Sequence, residues 1–322
     1  MNKFRFFIVL AIVGLMAFSV FAVTWRMADD QPAGYPTVVA DQFFANIVNQ
    51  MTNGKINIIV YYGSQLGSEE SIVQQVMSGA IQLERLNAAP MGSYAPEMNI
   101  LSLPYLFSNS DQEWKVLYGP IGQKLLTDLQ SIGLMGLTYY DSGERSFFTR
   151  KTPILTPSDV KGLKIRVQQS PVFIDLIKDL NGAPVPMAYG DVYTALQTGV
   201  IDGAENNIPS YYTMNFYQVA PYFSFDAHSR VPEVVIMNLS AWKSLTPEEQ
   251  EIFRTAAIAA SLYERQLWDE LTKQDMALLE KAGVHFSYPT QEDITLFQQA
   301  VAPIYQQYNQ YKSIIDEIRA TK

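Results

Sequence analysis

The sequence predicts an α/β protein with mostly parallel sheets. Strand-like apolar runs alternate with helix-like segments along the chain, and the helices open on Thr/Ser-capped signals and stop at glycine. Length sets the scale: 322 residues with 48% hydrophobic content can bury enough apolar surface for two compact domains. No Pro/Gly/Ser-rich linker separates an N-terminal from a C-terminal half, and no repeat or low-complexity segment interrupts the chain. Two lobes would therefore require the chain to cross between them more than once.

The elements follow in order. Thr24 to Ala28 reads as a strand and Thr37 to Met51 as an amphipathic helix. Ile56 to Tyr62 (INIIVYY) is a strand, and Ser68 to Met77 a helix that Gly79 stops. Leu134 to Tyr140 is a strand. Thr156-Pro157-Ser158-Asp159 opens a short helix ending at Gly162: threonine caps, proline fits the first helical position, and the acid suits the helix dipole. In the next strand Leu163, Ile165 and Val167 alternate with Lys164, Arg166 and Gln168, so Arg166 faces away from the apolar side. Helices follow at Ser170 to Leu180 and at Gly190 to Thr198, and a strand at Val234 to Leu239. Thr246-Pro247-Glu248-Glu249 opens a long helix to Ala282, and Thr290 to Asp293 repeats the capping pattern for a last helical region.

The N-terminus has the form of a secretory signal: Lys3 and Arg5, a charge-free apolar run from Phe6 to Phe18, and Val20-Phe21-Ala22 before the expected cleavage. The expected mature protein is exported, soluble and not inserted in a membrane. Cleavage would remove two of the 23 basic residues, leaving 21 against 32 acidic ones, a net charge of −11. That balance argues against nucleic-acid or anionic-membrane partners. It also makes any arginine in a cleft informative, because positive charge is scarce.

The chain has no cysteine, which excludes a lipoprotein anchor, disulfides and thiol chemistry. Two histidines, His228 and His285, lie too far apart for a spaced metal motif. There is no phosphate-binding glycine loop and no G-x-S-x-G elbow, and the adjacent Glu69 and Glu70 diverge on a helix rather than flank a bond. No metal, cofactor or catalytic residue is expected. Arg166 stands out as a fixed planar fork suited to a carboxylate, although spacing alone also allows a solvated surface arginine.

Several segments carry a resemblance. YYGSQLGSEESIVQQVMSGAIQL at 61–83, ILSLPYLF at 100–107, GPIG at 119–122, DVKGLKIRV at 159–167 and YGDVYTALQTGVIDGAENN at 189–207 occur in the order and spacing of one family. The chain resembles the DctP-like extracytoplasmic solute-binding proteins of TRAP transporters, over nearly the whole mature length. The resemblance implies a two-lobe periplasmic-binding-protein-like fold with a long helix crossing both lobes. The expected division is a signal peptide at 1–22, a first lobe at 23–143 plus 232–271, and a second at 144–231 plus 272–322. It implies a periplasmic binding protein rather than an enzyme, which closes on an organic acid and delivers it to the membrane subunits of a TRAP permease.

Site residues follow from the same resemblance. Arg166 takes the position of the arginine that clamps the ligand carboxylate, Asn206 that of its asparagine partner, and Arg145 that of a second contacting arginine, with Arg150 as competitor. Glu69 is expected to meet ligand hydroxyls. Arg85 departs from the small or acidic residues of many relatives and, with Asn87, resembles the pattern of members that take sugar acids such as uronates. Arg85 could equally be paired with Glu84 or Glu97. Gln31, on the first strand-to-loop segment with Asp29, Asp30 and Tyr35, lies where open α/β sheets bind ligands. Tyr189 and Tyr212, with Tyr193, could stack on a sugar ring, and Asp226 lies beside His228 near an expected crossing. C4-dicarboxylate or keto-acid binding, a carbohydrate-processing enzyme, an ABC-importer binding protein and a ligand sensor for a signalling receptor are the alternative functions.

Overall fold

The computed structural model describes residues 22–322; all of the expected signal peptide except Ala22 lies outside the described residues. The strands are β1 (Val23–Ala28), β2 (Ile56–Tyr61), β3 (Leu83–Asn87), β4 (Leu134–Tyr140), β5 (Glu144–Thr149) and β6 (Lys164–Val167). They continue with β7 (Ala183–Pro186), β8 (Gly203–Asn206), β9 (Tyr222–Arg230), β10 (Glu233–Asn238) and β11 (His285–Ser287). They form two sheets, one in the order β2-β1-β3-β10-β4 and one in the order β11-β9-β5-β8-β6-β7.

Both sheets are mixed, which corrects the mostly parallel expectation. In the first, β1 runs parallel to β2 and β3, but β10 is antiparallel to both β3 and β4. In the second, β6 is parallel to β7 and β8, while β5 is antiparallel to β8 and β9. The reason lies in the connections. The chain passes from β4 to β5 through Asp141-Ser142-Gly143 and from β9 to β10 through Val231-Pro232. A strand that continues almost directly into the other sheet cannot make the long helical return that parallel pairing needs.

Helix Pro36–Met51 follows β1 and buries Val38, Ala40, Phe44 and Val48. It packs along the long helix Pro247–Lys281, which also reaches helix Ile208–Thr213 of the second sheet's side. The long helix starts as the sequence predicts: Glu249 N–H donates to Thr246 Oγ1 at 3.2 Å and Thr246 N–H to the Glu249 carboxylate at 2.8 Å. One core fills the space between these helices and the first sheet around Phe44, Phe253 and Met237, and another lies under the second sheet around Phe148, Phe216 and Phe223. Among the described residues no helix is long and apolar enough to cross a membrane.

Candidate functional site

A cleft lies where the two sheets meet, lined by the carboxyl ends of strands from both, the position at which open α/β sheets hold ligands. It is bounded by Asp30, Gln31, Glu69, Arg85 and Glu233 from the first sheet's side and by Arg166, Gln168, Tyr189, Asn206 and Ser210 from the second. Ser142, on the β4–β5 crossing, also lines it. The alternation of β6 puts Ile165 and Val167 into the core and turns Arg166 toward the cleft, although Arg166 is only 4% exposed.

The second sheet carries two buried arginines. Arg145, on β5, donates from Nε and Nη2 to the Glu205 carboxylate at 2.6 and 2.9 Å, from Nη2 again to the Glu205 carbonyl, and from Nη1 to Asn206 Oδ1 at 3.0 Å. Burial alone would raise the Glu205 carboxyl, but Arg145 and His228 outweigh it and hold it below the usual range. Asn206 Oδ1 also accepts from the Asn207 N–H at 2.9 Å. Its oxygen is therefore fixed inward, and Nδ2 is left to face the cleft.

Arg166 is bonded differently. Nε and Nη2 donate to the Met187 carbonyl at 3.2 and 2.8 Å, and among the described residues no carboxylate comes within ion-pair distance of it. Burial and the neighbouring Arg145 hold its pKa below the ordinary arginine value. The cleft thus contains a buried cation with Nη1 free to donate and no anion beside it.

The first sheet's side inverts this balance. Arg85, fully buried on β3, donates through Nη2 to Asp29 and to Asp30 (2.6 Å), and through Nη1 to Glu233 (2.8 Å) and Glu69 (3.4 Å). Its Nε is buried without a partner. Arg85 therefore has no accessible donor left for a ligand; it organises the carboxylates that line the cleft. Neither Glu84 nor Glu97 is its partner. Burial pushes the Asp30 carboxyl up to about 6 against the pull of Arg85, and pushes Glu69 well above the carboxylate range, with Asp30 adding to the effect. Asn87 is likewise occupied: Nδ2 donates to the Val231 carbonyl and to Glu233, and Oδ1 caps the short helix after β3 by accepting from Ala89 N–H. Its backbone N–H holds Glu69 at 2.9 Å.

Besides Arg85 Nε, three buried polar atoms of cleft-lining residues have no partner among the described residues: Gln31 Oε1, Gln168 Oε1 and the Tyr189 hydroxyl. Buried polar groups are rarely left unpaired, so the wall presents unmet hydrogen-bonding capacity. Of the residues singled out in the sequence, the structure brings Arg166, Asn206, Arg145, Glu69, Arg85, Asn87, Gln31 and Tyr189 to this cleft. Two lie elsewhere. Tyr212 stacks on Tyr217 with ring centroids 5.7 Å apart, away from the cleft lining. Asp226 is wholly buried behind β5, where its carboxylate accepts from Phe147 N–H at 3.0 Å and meets His228 Nδ1 at 2.8 Å. Arg150 lies against Gly199, outside the cleft.

Glu233, Gln168, Ser142, Asn207 and Ser210 are cleft residues that sequence reasoning missed. Asn207 caps helix Ile208–Thr213 by accepting from Ser210 N–H at 2.8 Å, a pattern readable as Asn-x-x-Ser after β8. Glu233 gave a weaker signal, an acid opening an otherwise apolar strand. Among the described residues no group of three or more His, Asp or Glu is arranged to hold a metal ion.

Comparison with known proteins places this architecture. The chain matches the family described as DctP, bacterial extracellular solute-binding protein, family 7, over residues 27–311. A TRAP periplasmic solute-binding protein from Xanthobacter autotrophicus, solved with bound β-D-galacturonate, is similar with a TM-score of 0.90 and 43% identity, over 92% of this chain and 100% of that one. One from Roseobacter denitrificans, solved with bound β-D-glucuronate, gives 0.91 and 35% over 93% and 100%. A solute-binding protein of Chromohalobacter salexigens is 36% identical over 289 residues, 90% of this chain and 85% of that protein. With the two-lobed architecture and a cleft walled by both sheets, these likenesses establish that the chain belongs to the DctP family of bacterial extracellular solute-binding proteins and is a solute-binding protein of the TRAP type.

Proposed function

We propose that the protein captures a sugar acid of the hexuronate class, such as glucuronate or galacturonate, in the cleft between its two sheets and delivers it to the membrane subunits of a TRAP permease. The observation that carries this reading is Arg166, a buried guanidinium bonded to a single carbonyl and lacking an anion. A ligand carboxylate supplies that anion, accepting from Arg166 Nη1 and Nη2 and from Asn206 Nδ2. In a water-excluded cleft such a charge-assisted pair is much stronger than in bulk water. Arg145 acts by holding Asn206 in the orientation that presents the amide nitrogen.

The ligand hydroxyls pair with the open oxygens of Asp30 and Glu69, and Gln31, Gln168 and Tyr189 complete the wall. The ligand then touches both sheets, and only the closed arrangement offers all these contacts, which is the differential affinity that closure requires. The protein binds and releases its ligand unchanged. It works in the periplasm after removal of the N-terminal signal, in keeping with the extracytoplasmic family.

Thermal melting of the mature protein with and without uronates tests this. A ligand at a hundredfold excess over Kd stabilises by about 2.7 kcal/mol, which for a chain of this size raises Tm by roughly 4 °C. Glucuronate or galacturonate should produce that rise, and Arg166→Ala should abolish it. Stabilisation by neutral hexoses alone, or an undiminished shift in Arg166→Ala, would sink the proposal.

A further inference from the structure

A carboxylate seated on Arg166 leaves the rest of the ligand facing the first sheet, and that wall consists almost entirely of acceptors. Four carboxylates, Asp29, Asp30, Glu69 and Glu233, surround the single guanidinium of Arg85. All four of its terminal N–H donors are directed at them, so none remains for a ligand. Asn87 Nδ2 is likewise occupied by Val231 and Glu233. Asp30 Oδ2 and Glu69 Oε2, by contrast, accept nothing from the described residues, although each of their partner oxygens is bonded. Independently of the acids, Gln31 Oε1, nine-tenths buried on the same wall, is an acceptor without a donor.

We infer that this wall sets the ligand class: it admits hydroxyl groups and rejects a second carboxylate, so the protein takes polyhydroxy monocarboxylates and excludes the corresponding dicarboxylic sugar acids. The inference rests on the assignment of the first carboxylate to Arg166. A hydroxyl donates its proton to Asp30 Oδ2 or to Gln31 Oε1 and leaves the wall satisfied. A carboxylate in the same place brings further lone pairs against Asp30 Oδ2 and Gln31 Oε1 and further negative charge into a buried acidic cluster that holds a single guanidinium, and like charges juxtaposed in a desolvated site repel strongly. Arg85 cannot relieve this, because turning it toward a ligand would strip its own four carboxylates of their cation.

Isothermal titration of the mature wild-type protein at pH 7.5 with three acids tests the inference. Galactonate and galactarate are both open-chain and differ only in whether C6 is a hydroxymethyl group or a carboxylate; galacturonate reports on the Arg166 end. Galactonate should bind about 100-fold more tightly than galactarate. Asp30→Asn replaces an open acceptor oxygen by an amide donor, and should raise the affinity for galactarate relative to galactonate by about tenfold. If galacturonate binds while galactarate matches galactonate within about threefold, the rejection of dicarboxylates is overturned and the Arg166 assignment stands. If none of the three binds, the carboxylate assignment fails and this inference with it. An unchanged ratio in Asp30→Asn overturns the assignment to this acid.

Discussion

Arg145 and Arg166 stand in the same wall of the cleft and resolve the burial of a guanidinium in opposite ways. Arg145 is held at Nε and Nη2 by Glu205, whereas Arg166 finds only the carbonyl of Met187. One charge is neutralised by the protein and the other is left for whatever enters. The two residues should therefore fail differently when removed.

Replacing Arg145 by methionine leaves Glu205 buried without its main partner. Breaking a buried pair in this way costs about 3–5 kcal/mol, and His228, 3.5 Å from the same carboxylate, keeps the loss toward the lower figure. Arg166→Met instead removes an unpaired buried cation, so the ligand-free protein should be at least as stable as wild type. Urea unfolding of both variants without ligand, followed by uronate titration, checks this. Arg145→Met should unfold at markedly lower urea, and Arg166→Met should unfold no earlier but bind nothing.

Asn206 separates orientation from charge. Its Oδ1 accepts from Arg145 and from Asn207 N–H, so only the amide nitrogen can reach a ligand. Asn206→Asp keeps both internal bonds and improves the pairing with Arg145, but it replaces the cleft-facing donor by an anionic oxygen. The variant should melt no lower than wild type and lose at least about 100-fold in uronate affinity, as a like charge facing a buried carboxylate requires. Affinity retained within about tenfold would show that Asn206 does not face the carboxylate.

His228 makes stability depend on pH. Burial would lower its pKa, but the adjacent Asp226 and Glu205 carboxylates prevail and push it up to about 9 from the ordinary 6.5. A group raised in the folded state contributes its full stabilisation below pH 6.5 and loses it as pH rises through 9. The difference corresponds to on the order of 3 kcal/mol. In ligand-free protein, unfolding free energy should fall between pH 6.5 and 9.5, and His228→Gln should remove that part of the slope. A wild-type profile flat over this interval would place the imidazole in its neutral form.

Much of this was legible in the sequence because it is local. The capping boxes at Thr156, Thr246 and Thr290, the glycine stop after Ser78 and the alternation around Arg166 each lie within a few residues and each appear in the structure. What could not be read is set by pairing across the chain. Arg85 gathers carboxylates from positions 29, 30, 69 and 233, and no spacing rule links them; the parallel pairing of β1 with β3 and the antiparallel return of β10 bring in 29, 30 and 233, and Glu69 comes from the start of helix Glu69–Ser78. Asp226 misled for a related reason. On β9 it lies next to a crossing in sequence, yet its side chain turns under β5 to meet Phe147 N–H and His228 rather than into the cleft.

The β4–β5 crossing offers a test of how a connection between the sheets acts on the cleft. Gly143 has φ of +59°, and a Cβ there would lie 2.9 Å from Trp268 Nε1. Trp268 packs edge-on against Tyr35 at 5.9 Å, and the Tyr35 hydroxyl meets Ser210 Oγ at 2.9 Å, joining the first sheet's side to a cleft residue of the second. Gly162 is the natural control: its φ is +76°, with nothing within 4 Å of an added Cβ. Gly162→Ala should show only the backbone penalty of about 1–2 kcal/mol. Gly143→Ala should add roughly 1–3 kcal/mol for displacing a packed side chain, and because Trp268 supports Tyr35 it should also weaken uronate binding. Melting and titration of the two variants decide the matter: an affinity loss in Gly143→Ala alone ties the crossing to the cleft through Trp268 and Tyr35, and equal affinities in both would cut that link.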